Sequence, residues 1–176
     1  FNGDFMCEIS LPNREIALVY HKEILQKFET MIPQSTAIAV QEAIFSGDNR
    51  KLKTQIQTLL MESVSSFDTA GENFYHGLLL GILGFKENWS VMSNRESGDG
   101  FGDILIRIED EDVGIVIEVK YADDGNLQGE CEKALQQIID IRYTEALEQE
   151  GIHTIIKYGI ACYRKKCKVL MRIDKQ

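Results

Sequence analysis

The chain has 176 residues, of which 44% are hydrophobic and 27% are charged, enough for one ordinary soluble domain with a real core. The formal net charge of −9 argues against a protein that binds nucleic acid by its overall charge alone. The longest apolar run, residues 77–85, is far too short to span a bilayer and no secretory signal is visible, so we expect a cytoplasmic protein with no membrane partner.

The first third of the chain is predicted to be helical. It begins at Phe1 and not at a methionine, so we expect a fragment of a longer protein. Residues 4–10 alternate weakly, as in a short strand, and helices are predicted over residues 14–32, up to about Phe45, and over residues 50–64. Pro33 separates the first two helices. We therefore predict a helical N-terminal segment, residues 1–66.

The remainder, residues 67–176, is predicted to mix helices and strands. A largely buried helix is predicted over residues 68–85 and a longer one over residues 127–149. Strands are predicted over residues 89–94, 103–109, 114–120, 153–163 and 168–173, the last two as a hairpin. The order helix, three strands, helix, two strands predicts an α/β sandwich with a mixed sheet.

Four cysteines are present, and none carries a recognisable motif: Cys7, Cys131, Cys162 and Cys167. They show no CxxC spacing and no accompanying histidine cluster, which favours buried thiols over disulfides or a zinc site. A hydrolase that uses one of them is a weaker hypothesis, because no candidate base stands beside any of the four.

Two neighbouring strands carry charges at ends that should meet. The apolar run before Glu118 is typical of a central strand covered on both faces, where a charge is costly unless it is paired or binds a cation. Side chains alternate, so Glu118 and Lys120 share one face. A short acidic turn joins this strand to the preceding one, which begins at Asp103, so the two strands should pair antiparallel. Asp103, Glu118 and Lys120 are therefore expected to converge.

Two carboxylates beside an ammonium group suit metal-assisted phosphoryl chemistry. Mg²⁺ binds one or two carboxylates plus waters and substrate phosphate, and Lys120 could orient water or stabilise the transition state. Glu72, on the preceding buried helix, could add a third carboxylate. The alternative is that Glu118 and Lys120 form only a weak surface ion pair.

Two other features each have two interpretations. His76 lies four residues after Glu72 on the same helix face, so it either bridges to the site or is a hydrogen-bonded core histidine. Residues 151–176 hold seven Lys or Arg against one Asp, and the basic stretch "YRKKCK" is either a solvated hairpin turn or a phosphate-contacting patch.

The stretch "GDILIRIEDEDVGIVIEVK" resembles the core of the PD-(D/E)XK nuclease superfamily, with Asp103 as its aspartate and Glu118-Val119-Lys120 as its E-x-K. Further segments resemble the nuclease-like C-terminal domain of a bacterial family in which an AAA-ATPase-like region precedes that domain: "ISLPNREI", "GENFYHGLLLGIL", "SNRESGDGFGDI", "ALQQIIDIRY" and "KYGIACYRKKCKV". The resemblance covers essentially the whole chain.

This resemblance implies a restriction-endonuclease-like core, a mixed sheet flanked by helices, preceded by the helical segment. It implies Mg²⁺, with Mn²⁺ as an alternative, bound by Asp103 and Glu118 with help from the Val119 carbonyl and Glu72. Lys120 would be the catalytic lysine. The substrate-binding positions that it implies are Gln137 and Tyr143. His76 is a further candidate from its position on the helix, if it bridges to the site.

The implied function is Mg²⁺-dependent hydrolysis of phosphodiester bonds in DNA by the C-terminal part of a larger ATPase-like protein. The expected partners are DNA, that ATPase-like region and, as a further option, a second copy of the chain. One departure favours an alternative, an inactive nuclease-fold module for regulation or partner binding. Where the family commonly has an arginine before the aspartate, this chain has Phe101, so a partner for phosphate or carboxylate is lost.

Overall fold

The computed structural model describes residues 32–63, 71–84, 86–93, 104–108, 111–140, 147 and 149–175. The strand predicted over residues 4–10 and all but the last residue of the helix predicted over 14–32 lie outside these ranges. The predicted boundary between residues 66 and 67 also lies outside them, so the division into two segments stays a prediction.

The described helices and strands begin within a few residues of those predicted. In chain order they are α1 (Gln34–Phe45), α2 (Asn49–Ser63), α3 (Glu72–Leu83), β1 (Trp89–Ser93), β2 (Ile104–Ile108), β3 (Val113–Tyr121), α4 (Leu127–Asp140), β4 (Thr154–Tyr163) and β5 (Lys166–Lys175). The helix predicted over residues 127–149 is described without interruption as far as Asp140, and residues 141–146 lie outside the described ranges.

The five strands form one mixed sheet with the order β1-β2-β3-β4-β5. The predicted antiparallel pairing of β2 with β3 is confirmed, as is the β4–β5 hairpin, whose turn is Arg164-Lys165. β3 and β4 are parallel, and α4 makes the crossover between them, because parallel neighbours need a long connection. The predicted α/β architecture is therefore confirmed, and it matches a restriction-endonuclease-like core.

Both faces of β3 are covered, which explains its continuous apolar sequence. Ile115, Ile117 and Val119 face a core shared with α1, α2 and α3, whereas Val116 faces Ile138 of α4. The two N-terminal helices therefore pack into the same hydrophobic core as the sheet. Alternation along β3 places Glu118 and Lys120 on the α4 side.

Helix α4 approaches the sheet most closely at Gly159 in β4. A side chain at this position would lie 2.5 Å from the Cys131 carbonyl oxygen and 2.6 Å from the Leu135 backbone nitrogen, distances that no real Cβ atom tolerates. The Cys131 thiol donates to the Gly159 carbonyl oxygen at 2.9 Å. Cys131, Ala134 and Ile138 of α4 are fully buried, while Leu127 is half-buried.

The cysteines in the described part of the chain are free and buried, as predicted. Burial raises the pKa of the Cys131 thiol to about 11 and that of Cys167 to about 12, and it raises the pKa of Cys162 as well. These thiols stay protonated at neutral pH, whereas a nucleophilic cysteine needs the thiolate. The described cysteines therefore do not support the thiol-hydrolase hypothesis, and Cys7 lies outside the described residues.

The apolar run at residues 77–85 lies largely within α3, a helix of 12 residues whose Leu79, Ile82 and Leu83 are buried in the core. Among the helices that the structure describes, none combines the length and the apolar character that a membrane span requires.

A buried lysine on β4 is neutralised by a carboxylate on β5. Lys157, 6% exposed at its side chain, lies 2.7 Å from Asp174 Oδ2, and Arg172 lies 2.8 Å from Oδ1. The hydrogen bond from Lys157, followed by that from Arg172, holds the pKa of Asp174 below its ordinary value of 3.8. The pair therefore stabilises the fold at any pH above 3.8 and loses its contribution as the pH falls through the lower pKa of the folded state.

We expect Asp174→Asn to lower the free energy of unfolding at pH 7 by about 1–3 kcal/mol, because Lys157 would stay buried without a counter-charge. The deficit should be smaller at pH 3 than at pH 7, because the contribution of the pair declines as the pH falls below 3.8. Urea unfolding at both pH values measures it, with Glu111→Gln as an exposed control. An unchanged deficit at the lower pH would contradict this account.

Candidate active site

Four strand termini meet at one end of the sheet. Ser93 at the end of β1 pairs with Ile104 at the start of β2, and Ile104 pairs with Ile117 near the end of β3. Because β3 and β4 are parallel, Tyr121 at the end of β3 lies opposite Cys162 near the end of β4. We call this the site end of the sheet. It holds most of the predicted site residues that the structure describes.

Glu118 is a buried charge at the site end. Its side chain is 1% exposed, and the Lys120 ammonium nitrogen lies 2.7 Å from its Oε1. The two side chains share the α4 face of β3, as predicted from alternation. Taking a carboxylate out of water is costly unless a cation compensates it, and Lys120 supplies one positive charge. Lys120 itself is 21% exposed, so the pair lies just inside the protein surface.

The hydrogen-bonding capacity of Glu118 is not used by the described residues. No donor among them makes a hydrogen bond of good geometry to either carboxylate oxygen, and the close approach of Lys120 is to Oε1 alone. Buried polar atoms without a partner are rare in native proteins, and an ion is one of the groups that satisfies them. Glu118 is therefore suited to ligate a cation.

Glu72 reaches the same place from the first turn of α3. Its Oε2 accepts a hydrogen bond from the Tyr121 backbone N–H at 3.3 Å, and its Oε1 lies 3.8 Å from Lys120 Nζ. A carboxylate at a helix N-terminus is also favoured by the helix dipole. The fold therefore brings Glu72, Glu118 and Lys120 together from two elements, and Lys120 lies between the two carboxylates.

The remaining candidate ligands are less completely described. Asp103 lies outside the described residues, although it directly precedes Ile104, whose partner Ile117 directly precedes Glu118. The Val119 side chain is buried in the core, and the role of its carbonyl stays a prediction. No group of three or more metal-binding side chains occurs among the described residues. The two described carboxylates offer oxygen donors, which Mg²⁺ prefers, and that ion needs only one or two of them.

The predicted substrate-binding residues have different surroundings. His76 is 5% exposed, and its Nε2 lies 3.4 Å from the Ser93 hydroxyl oxygen. This is the hydrogen-bonded core histidine of the second interpretation, although its partner Ser93 is also at the site end. Gln137 is half-buried on α4 next to Ile138, and Tyr143 and Phe101 lie outside the described residues. Roles in substrate binding stay predictions for all of them.

Sequence reasoning missed an aromatic stack beside the site. The Tyr121 ring lies 6.0 Å from Tyr75, nearly parallel to it, and 6.0 Å from Tyr163. The Arg164 guanidinium lies 5.2 Å from the centre of the Tyr163 ring. The stack joins α3, β3 and the β4–β5 turn. In the sequence, the feature that could have indicated this stack is the aromatic residue Tyr121 directly after Lys120.

Part of the chain matches the model of a known protein family. Residues 70–171 match the model of the PD-(D/E)XK nuclease superfamily. The matched region contains Glu72, Asp103, Glu118 and Lys120. No curated protein matches the chain. Since the match covers more than half of the chain and includes the E-x-K pair at the site end, this protein belongs to the PD-(D/E)XK nuclease superfamily.

Proposed function

We propose that this domain hydrolyses phosphodiester bonds of DNA with the help of Mg²⁺, with Mn²⁺ as an alternative ion. The observation that carries the proposal is the buried Glu118 carboxylate, whose oxygens lack a hydrogen-bond partner among the described residues, next to Lys120 at 2.7 Å. Membership of a nuclease superfamily whose members generally use divalent metals supports it.

Asp103 and Glu118 are the proposed cation ligands, with Glu72 and the Val119 carbonyl as further oxygen donors. When bound, the cation would lower the pKa of a coordinated water and offset the charge that develops on the phosphoryl oxygens. Burial of Glu118 favours this role, because a carboxylate without competing water binds a cation more strongly. Ligation would also satisfy oxygens that the described residues leave without hydrogen bonds.

Lys120 is the proposed catalytic cation. Its ammonium lies between Glu72 and Glu118, which hold it at distances of 3.8 and 2.7 Å. From this position Nζ–H can donate to the attacking water or to a phosphoryl oxygen, and it stabilises negative charge in the transition state. Gln137, Tyr143 and His76 are the proposed substrate-binding residues around this centre.

We further propose that the domain acts as the C-terminal part of a larger protein with an AAA-ATPase-like region, and that DNA is the partner that reaches the site end. A second copy of the chain is a further proposed partner. The substitution of Phe101 for the usual arginine is the observation that favours the alternative, an inactive nuclease-fold module. The two functions differ in whether the site binds a cation.

Millimolar Mg²⁺ is expected to raise the thermal midpoint of the wild-type protein, by the equivalent of about 2–3 kcal/mol once Mg²⁺ exceeds its Kd about 100-fold. Asp103→Ala should lose most of this shift because it deletes a ligand. Glu87→Ala, an exposed carboxylate just before β1 at the opposite end of the sheet, should keep it. A wild-type protein without any shift would favour the inactive module.

Cleavage is tested with plasmid and single-stranded DNA in the presence of Mg²⁺ or Mn²⁺. We expect the wild type to convert the substrate and the Glu118→Ala/Lys120→Ala double variant to be inactive. Equal loss of substrate with both proteins would indicate a contaminating nuclease and would sink the proposed activity.

A further inference from the structure

The positive charge of the C-terminal region is concentrated at the β4–β5 hairpin. Of the seven Lys or Arg in residues 151–176, Lys157 and Arg172 are paired with Asp174. Four of the others stand at the turn and the start of β5: Arg164, Lys165, Lys166 and Lys168. In a chain of net charge −9, this cluster is the local exception.

The hairpin lies at the site end of the sheet, beside Lys120. Ala161 of β4 pairs with Lys120 on one side and with Lys168 on the other. Paired positions share a face, so both lysines lie on the α4 face, roughly 10 Å apart at their Cα atoms. Lys166 pairs with Tyr163, two residues further toward the turn. Lys168 therefore lies two strands from Lys120 on the same face of the sheet, with the buried Ala161 between them.

The turn is fixed to the elements that build the site. The Tyr75 hydroxyl donates to the Arg164 carbonyl oxygen at 2.9 Å, and the Arg164 guanidinium covers Tyr163 in the aromatic stack. Lys165 contacts the Met61 carbonyl oxygen of α2 at 3.5 Å. The side chains of Arg164 and Lys166 are exposed and that of Lys168 is half-buried, so these three remain to face a ligand.

We propose that Arg164, Lys166 and Lys168 form a phosphate-binding track for the DNA strand next to the scissile bond. This rests on the proposed function, since it assigns the backbone of that substrate to a surface. The loop that follows β3 carries the exposed Asp123 and Asp124, whose charges repel phosphate. The strand therefore leaves the site toward β5, where lysine and arginine can neutralise successive phosphates.

Binding without chemistry tests the track. Fluorescence anisotropy with a labelled single-stranded oligonucleotide and with its duplex, in EDTA, measures Kd over a range of salt concentrations. We expect Lys166→Ala/Lys168→Ala to weaken binding by about 10-fold near physiological salt and to reduce the slope of log Kd against log salt by about two, one for each lost phosphate contact.

Lys175→Ala is the matched control, because Lys175 is an exposed lysine of the same strand whose partner is Thr154 at the opposite end of the sheet. It lies roughly 30 Å from Lys166 along β5 and should leave Kd unchanged. If the double variant fails to fold, Lys166→Glu replaces it, because Lys166 is exposed and the change reverses its charge. Its affinity for DNA should fall by more than removal of that one charge would cause.

The outcomes separate the track from the proposed hydrolysis. Three results would overturn the track. The double variant could bind DNA as tightly as the wild type, the wild type could bind neither oligonucleotide, or Lys175→Ala could lose as much affinity as the double variant. If the wild type binds through these lysines but never cleaves DNA, the track stands and the proposed hydrolysis fails. If it cleaves DNA and the double variant both binds and cleaves normally, only the track fails.

Discussion

Lys120→Met is expected to reduce DNA hydrolysis by a factor of at least about 10² while the protein still folds and binds its cation. Methionine keeps the apolar stem of lysine but removes the ammonium that lies 2.7 Å from Glu118. The proposed ligands Asp103 and Glu118 remain, so cation binding should persist. The expected loss is thus in the chemical step.

Removal of the Lys120 charge also changes how the cation affects stability. Without the ammonium, the carboxylates of Glu72 and Glu118 repel each other with no cation between them. Mg²⁺ should relieve that repulsion, so its thermal shift in Lys120→Met should be at least as large as in the wild type. Scanning calorimetry with and without Mg²⁺ measures this, and single-turnover cleavage measures the rate.

Lys133→Met provides the control for the charge change. Lys133 also contacts a glutamate, Glu130, but its side chain is 72% exposed on α4. This variant should cleave DNA at the wild-type rate. Intact cleavage by Lys120→Met would show that Lys120 is a structural ion-pair partner and that the E-x-K assignment is wrong.

Gly159→Ala is expected to lower the free energy of unfolding by about 1–3 kcal/mol, and a larger side chain at this position should cost more. A Cβ atom at residue 159 would lie 2.5 Å from the Cys131 carbonyl oxygen and 2.6 Å from the Leu135 backbone nitrogen. Backbone atoms of a helix cannot rotate away, so the whole of α4 would have to shift off the sheet.

The same substitution should also disturb the position of Glu118 in the candidate site, because Gly159 is the direct partner of Glu118 in the parallel pairing of β3 with β4. We expect weaker Mg²⁺ stabilisation in Gly159→Ala in addition to the lower stability, both read from chemical unfolding with and without Mg²⁺. Wild-type stability in this variant would mean that α4 is not seated on Gly159.

Gly77→Ala is the matched control for this change. Gly77 is in the interior of α3, and a Cβ atom there would meet nothing within 4 Å. Alanine loses less backbone entropy than glycine when a helix forms, so the variant should gain about 0.4–1 kcal/mol. The two Gly→Ala changes thus have opposite expected signs.

Local patterns in the sequence predicted much of this fold because they depend on neighbouring residues. The unbroken apolar run of β3 indicates a strand covered on both faces, and its period of two places Glu118 and Lys120 on one side. The short acidic turn makes the antiparallel pairing of β2 with β3 the natural arrangement. Glu72 was a candidate both from its place on the preceding buried helix and from the family resemblance, which is also a property of the sequence.

Other features depend on contacts between residues far apart in the chain, and only the tertiary structure decides those. The hydrogen bond from the Tyr121 N–H to Glu72 spans 49 positions, and that from the Tyr75 hydroxyl to the Arg164 carbonyl spans 89. A glycine within an apolar strand, here Gly159, indicates that another backbone approaches closely. The neighbouring residues in the sequence do not show that the approaching backbone belongs to α4.

The sequence by itself therefore determined the strands and helices, the pairing of β2 with β3 and the shared face of Glu118 and Lys120, since hydrophobic period and turn length act over a few residues. The tertiary structure decided that Glu118 is buried, that Glu72 approaches Lys120 and that the basic hairpin stands beside the site. These follow from parallel packing of β3 against β4 and from the seating of helices on both faces of the sheet. The energy of such packing comes from many weak contacts between residues far apart in the chain, so it cannot be predicted from any single segment.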